Sequence, residues 1–147
     1  MSYSEPKFSF SIIVQVRFAD MDALGHVNNA TFLTYFEEAR MAYCLNLFPL
    51  DLDNVRSLNL ILAEACVKFH APARVADRLE VFCCISHIGN KSFQMDYRVL
   101  NAMTDMLICE GHTIQVMYDY EIGATMPVPE EMRKKIEQFE NHVLTNP

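Results

Sequence analysis

The chain has 147 residues, of which 51% are apolar and 21% charged, with only four glycines and six prolines, so neither disorder nor a fibrous repeat is compatible with it. A net charge of −7 argues against a nucleic-acid partner, because affinity for a phosphate backbone comes from clustered Lys and Arg. It leaves room for an anionic ligand at one of three local basic spots: Lys68 to Arg74, Arg78, or Lys91 with Arg98.

At this length the expectation is one domain, residues 1–147, around one core. The five cysteines (Cys44, Cys66, Cys83, Cys84, Cys109) are odd in number and contain no C-x-x-C pair. They read as reduced thiols. The start, MSYSEPKFSF, lacks a basic n-region and an apolar h-region, and no stretch approaches the ~18 apolar residues of a membrane span. The expected location is cytoplasmic.

From Phe8 to Phe18 every even position is apolar and most odd ones are polar, the period of a half-buried strand. The stretch DALGHVNNATFL, Asp22 to Leu33, follows. A helix is expected over ATFLTYFEEARMAYCLNLF, apolar around most of its circumference with one polar strip through Thr34, Glu37 and Glu38, so it needs cover on several sides. Arg40 is expected to pair with Glu37, three residues before it. Pro49 and the Asp51 to Asn54 cluster end that helix.

Four further strands are expected: Ile61 to Phe69, Leu79 to Ile88, Ser92 to Leu100 and Met106 to Tyr118. Ile61, Ala63, Ala65, Val67 and Phe69 would share one face of the first, and the GNK triplet at 89–91 reads as a hairpin turn between the second and third. His70 and His112 read as structural, with His87 flanking the hairpin. After Pro127 and Pro129, EEMRKKIEQF forms a short helix, acidic at its start and basic later, packing through Met132, Ile136 and Phe139. The order strand, long helix, four antiparallel strands, short helix is α+β, with a five-stranded sheet curled around the long helix.

An acid, an imidazole and two amides between a strand and a helix carry usable chemistry. Asp22 as a carboxylate can take a proton from water or attack a carbonyl, and the first N–H groups of the helix after Asn28 lack intrahelical partners and can hold an oxyanion. Asn28 or Asn29 suits the N-cap, and Gly25 permits a sharp turn. The same residues are also ordinary turn and capping chemistry. His26 ranks as supporting, and Asp20 is expected to point outward into solvent. A metal site of Asp20, Asp22 and His26 is incomplete for zinc or non-haem iron, since no further His or Cys follows at ligand spacing. Neither a metal nor another cofactor is expected.

The run VRFADMDALGHVNNATFLTYFEEAR, Val16 to Arg40, resembles the hotdog-fold thioesterases of the 4-hydroxybenzoyl-CoA thioesterase-like group. VKFHAPARVADRLEV and HIGNKSFQMDYRV resemble later segments of that family, in order. The resemblance implies a sheet-wrapped helix, a homodimer or homotetramer joined sheet edge to sheet edge, and hydrolysis of a fatty or other acyl-CoA. It places the catalytic acid on Asp22 and the carbonyl-polarising amide near Asn29, with Asn28 beside it. On that reading Lys91, Ser92, Arg74 and Arg78 are candidates for the coenzyme A phosphates or pantetheine, and Phe32, Phe36, Tyr35 and Met95 for an acyl tunnel, although those four would serve equally as core. Hydration of an acyl thioester, or acyl binding without catalysis, are the other activities such a fold can carry.

Overall fold

The computed structural model describes residues 7–140. β1 (Phe10–Gln15) leads through a 3₁₀ turn (Phe18–Asp20) and a loop to α1 (Thr31–Leu47). β2 (Leu60–Phe69), β3 (Arg78–Ile88), β4 (Ser92–Asn101) and β5 (Leu107–Asp119) follow, then a two-residue β6 (Ala124–Thr125) and α2 (Glu130–Glu140). The sheet is antiparallel in the order β1-β3-β4-β5-β2, and β6 pairs only with the end of β5. Each main element lies where the sequence pattern puts it, except that β1 stops at Gln15 instead of running to Phe18, and the pattern misses β6 and both 3₁₀ turns, at Phe18–Asp20 and Val55–Leu58.

The core lies between α1 and the concave face of the sheet. Tyr35, Phe36, Ala39 and Tyr43 of α1 are buried against Leu79, Val81, Met95 and Val99. Each large apolar side chain so buried is worth about 1.5–3 kcal/mol. Phe36 stacks on Tyr97 of β4, ring centroids 4.3 Å apart. α1 leans mainly on β3 and β1, and α2 packs Ile136 beside it.

β2 is therefore left at the sheet edge with almost every residue exposed. The expected single face of β2 is also broken. A bulge between Leu62 and Glu64 sets Ile61 opposite Val116 on the outer face, while Ala65, Val67 and Phe69 stay on the inner one. Gly111 of β5 permits the close approach here, since a Cβ would lie 2.2 Å from the Cys66 carbonyl oxygen and 3.2 Å from the Phe36 ring.

Arg40 does not pair with Glu37. Its guanidinium donates to the Tyr97 hydroxyl at 3.3 Å, because Arg40 turns under the helix while Glu37 stays exposed. His70 and His112 lie across β2 and β5 from acids, His70 with Glu110 and His112 with Glu64, both at 3.2 Å.

Candidate active site

The loop between the 3₁₀ turn and α1 folds back on itself as a tight hairpin. Met21 and Val27 form an antiparallel bridge, the Asp22 amide donates to the His26 carbonyl at 2.9 Å, and the Asn28 amide donates to the Asp20 carbonyl at 2.9 Å. Gly25 takes the left-handed conformation (φ +80°) that closes the turn, which a side chain would resist. The loop is tied to the β2–β3 crossing by the Val27 amide, which donates to Ala73 at 2.8 Å.

Asp22 is half-buried. Its Oδ1 accepts the Leu24 amide at 2.9 Å, and Oδ2 has no partner among the described residues. The His26 side chain, also half-buried, has no hydrogen-bond partner among the described residues. The acid thus keeps one oxygen fixed and the other available, with an imidazole on the facing arm of the same hairpin.

The helix entry differs from the expected cap. Ala30 is the N-cap residue of α1 and offers no side-chain bond, while Asn28 caps the preceding turn, its Oδ1 accepting the Ala30 amide and its carbonyl the Thr31 amide, both at 2.9 Å. The amide of Asn29 between them has no partner among the described residues, which makes it a free donor at the positive end of a 17-residue helix.

Asp20 is buried, against the expectation that it points to solvent. The 3₁₀ turn, which the alternation of the strand conceals, rotates it inward at 3% exposure. Its Oδ2 accepts the Tyr35 hydroxyl at 2.8 Å and the Arg17 amide at 3.0 Å, and its Oδ1 the Arg17 guanidinium at 2.9 Å. Burial by itself would raise its pKa, but the bonds from Arg17 and Tyr35 outweigh it and hold the carboxyl below the ordinary range. Burial, then the bond to Asp20, pushes the Tyr35 hydroxyl up. Nothing in residue spacing singled this acid out; the aromatic hydroxyl 15 residues away was the only available signal.

Of the other candidate residues, Arg74 lies exposed next to Ala73, at the same end of the sheet as Asp22, His26, Asn28 and Asn29. Lys91 and Ser92 do not. They occupy the β3–β4 hairpin, one full length of an 11-residue strand away, about 30 Å, where Lys91 Nζ donates to Thr125 at 3.2 Å. Phe32 and Phe36 are packed in the core at 2% and 0% exposure, Phe32 edge-on to Tyr35 and Phe69. A cleft of about 190 Å³ sits at the far end of α1, lined by Phe48, Leu58, Pro129 and Met132 among others, remote from Asp22. Among the described residues no group of three or more His, Cys, Asp or Glu is placed to hold a metal, and no helix is long and apolar enough to cross a membrane.

Residues 16–136 match the thioesterase-like superfamily. A Thermus thermophilus thioesterase, whose crystal structure is described as a complex with coenzyme A and Zn, superposes with a TM-score of 0.83 at 31% identity, covering 93% of this chain and 98% of that one. The 1,4-dihydroxy-2-naphthoyl-CoA hydrolase of Synechocystis is 30% identical over 131 residues, 87% of this chain and 94% of its own. YsmA of Bacillus subtilis is 30% identical over 138 residues, 92% of each chain. The curled five-stranded sheet around one helix is the hotdog fold, and with the match running from the end of its first strand into its last helix, the chain belongs to the thioesterase-like superfamily.

Proposed function

We propose that the chain hydrolyses acyl-CoA thioesters to the free acid and coenzyme A, with Asp22 as general base or nucleophile. The observation that carries this is the hairpin itself, which holds a carboxylate with one unoccupied oxygen close in sequence and space to a helix entry whose Asn29 amide lacks a partner. Asp22 Oδ2 either takes a proton from water as that water attacks the thioester carbonyl, or attacks the carbon itself to give a mixed anhydride that water then opens. In both cases the carbonyl oxygen gains charge, which the Asn29 amide and the positive end of α1 would stabilise, and the sulfur leaves as coenzyme A thiolate. Asn28 holds the entry turn, and His26, on the facing arm, would support by hydrogen-bonding a substrate group or by orienting the turn.

The site reads as shared between two copies of the chain. β2 is a ten-residue edge strand, exposed on both faces, which suits pairing with a second β2 rather than contact with water. Antiparallel pairing about a two-fold axis would set the Leu60 end of one β2 beside the Phe69 end of the other. Leu60 faces Met117, whose amide donates to the Lys91 carbonyl, so that operation carries the hairpin with Lys91 of the partner subunit and Ser92 of the partner subunit to the end where Asp22 and Arg74 lie. Basic groups from both chains would then meet the coenzyme phosphates. With Phe32 and Phe36 in the core, the acyl group would rest on the exposed inner-face residues Leu62 and Phe69 and on Leu33 of α1. Five unpaired cysteines fit a reducing, cytoplasmic setting.

The test is thiol release from a panel of fatty and aromatic acyl-CoAs, with the thiol reagent consumed by the protein's own exposed Cys66 subtracted in a blank without acyl-CoA. Release that falls about 10²–10⁴-fold in Asp22→Asn supports the proposal. Hydration of an unsaturated acyl-CoA without thiol release would instead make the protein a hydratase, and binding without turnover an acyl-CoA-binding subunit.

A further inference from the structure

The hydrogen bonds of Asp20 link three segments around the same loop. Its carboxylate joins the end of β1, through the Arg17 amide and guanidinium, to α1, through Tyr35 one turn past Thr31. Its peptide carbonyl takes the Asn28 amide, one residue before Asn29. Asp22 lies two residues beyond, on the short closed hairpin that the Met21–Val27 bridge completes. One residue therefore touches both the base of the hairpin and the first turn of the helix. The Arg17 side chain is 70% exposed and Asp20 only 3%, so the arginine reaches in to a buried acid rather than needing one for its own sake. Burying a carboxylate is costly, and an apolar side chain would fill the space without that cost.

We propose that Asp20 is a positioning residue, which holds the Asp22 carboxylate and the Asn29 amide at a fixed separation through Tyr35 and the Asn28 amide. This rests on the reading of Asp22 and Asn29 given above, and it predicts local consequences that can be read with or without turnover.

The test uses the full chain with Asp20→Asn and Tyr35→Phe, singly and together, followed by amide hydrogen exchange and by steady-state kinetics on the best acyl-CoA. In Asp20→Asn the Asp22 and Asn28 amides should exchange at least about tenfold faster while the β3 and β4 amides keep their protection. kcat should fall by about 10²-fold with KM within about threefold, since displacement of a reacting group by about 1 Å costs that much. Tyr35→Phe should move both readouts the same way by less, and the double variant should be no worse than Asp20→Asn. Unchanged exchange at Asp22 and Asn28, exchange rising equally throughout the protein, or additive losses in the double variant would each overturn the proposal. Should Asp20→Asn not fold, Tyr35→Phe decides by the same two measurements. Absence of hydrolysis by the unmodified chain would remove the catalytic reading while the exchange data still settle whether Asp20 holds the loop.

Discussion

The Tyr43 hydroxyl of α1 donates to Glu140 Oε1 at 2.6 Å, and the same oxygen accepts the Ile85 amide of β3 at 3.0 Å. Ile85 lies two residues beyond Cys83, where the pairing of β3 with β1 ends, so its amide, on the β1 side of the strand, is free of that ladder. The last residue of α2 thus ties the central helix to the sheet, and burial followed by this bond pushes the Tyr43 hydroxyl up. Removing the acid leaves two buried donors without an acceptor. Glu140→Ala is expected to lower stability by about 2–4 kcal/mol, and Tyr43→Phe by about 1–2 kcal/mol. In a chain of this size that is on the order of 3 °C in Tm per kcal/mol, measurable by thermal unfolding. Equal Tm values for wild type and Glu140→Ala would show that the contact contributes nothing.

Acid stability should carry the signature of Asp20. Its folded pKa lies below the ordinary carboxyl value of 3.8, so its contribution to stability is fully present above the unfolded value and disappears as pH falls through the folded one. Asp20→Asn should therefore be less stable than wild type at pH 7, and the gap should narrow below about pH 4 as the wild-type carboxyl is protonated. Urea unfolding at pH 7, 5 and 3 measures the gap. A difference that stays constant across those three pH values would mean that the ionised form is not what the bonds from Arg17 and Tyr35 favour.

The edge of β2 offers a way to separate assembly from folding. The Cys66 carbonyl points at β5, as its closeness to Gly111 requires, so the amides and carbonyls of Ala65 and Val67 point away from the sheet. Proline at an edge position whose N–H faces outward is tolerated by its own sheet. Ala65→Pro should keep the far-ultraviolet spectrum and most of the stability while shifting the chain towards monomer in sedimentation, and acyl-CoA hydrolysis should fall with the dimer fraction. Full activity in a strictly monomeric Ala65→Pro protein would refute a site shared between subunits.

The element order was legible because periodicity is local. A period of two marked β1, β3 and β4, and a wide apolar helix marked α1 and its need for cover. The turn carrying Asp22 was legible too, since Gly25 and the asparagines are turn residues by their own backbone preferences, though not its closure as a hairpin. What spacing did not reveal depends on contacts between distant segments. The inner-face register of β2 shifts at Leu62/Glu64 because of the way that strand pairs with β5. Asp20 turned inward because Tyr35, on another element, offers a hydroxyl, and Arg40 chose Tyr97 over its own helix neighbour because β4 passes beneath α1.

By itself, then, the sequence determined the kind and order of the elements and the acid-bearing turn, which follow from short-range preferences of the chain, while the resemblance carried by Val16 to Arg40 pointed to the thioesterase-like superfamily. Only the tertiary structure decided which acid is buried and which is left with an open oxygen, and that Lys91 and Ser92 lie a full strand length from Asp22. Those outcomes are set by how the sheet curls around α1, which brings together groups whose separation along the chain says nothing of their distance in space.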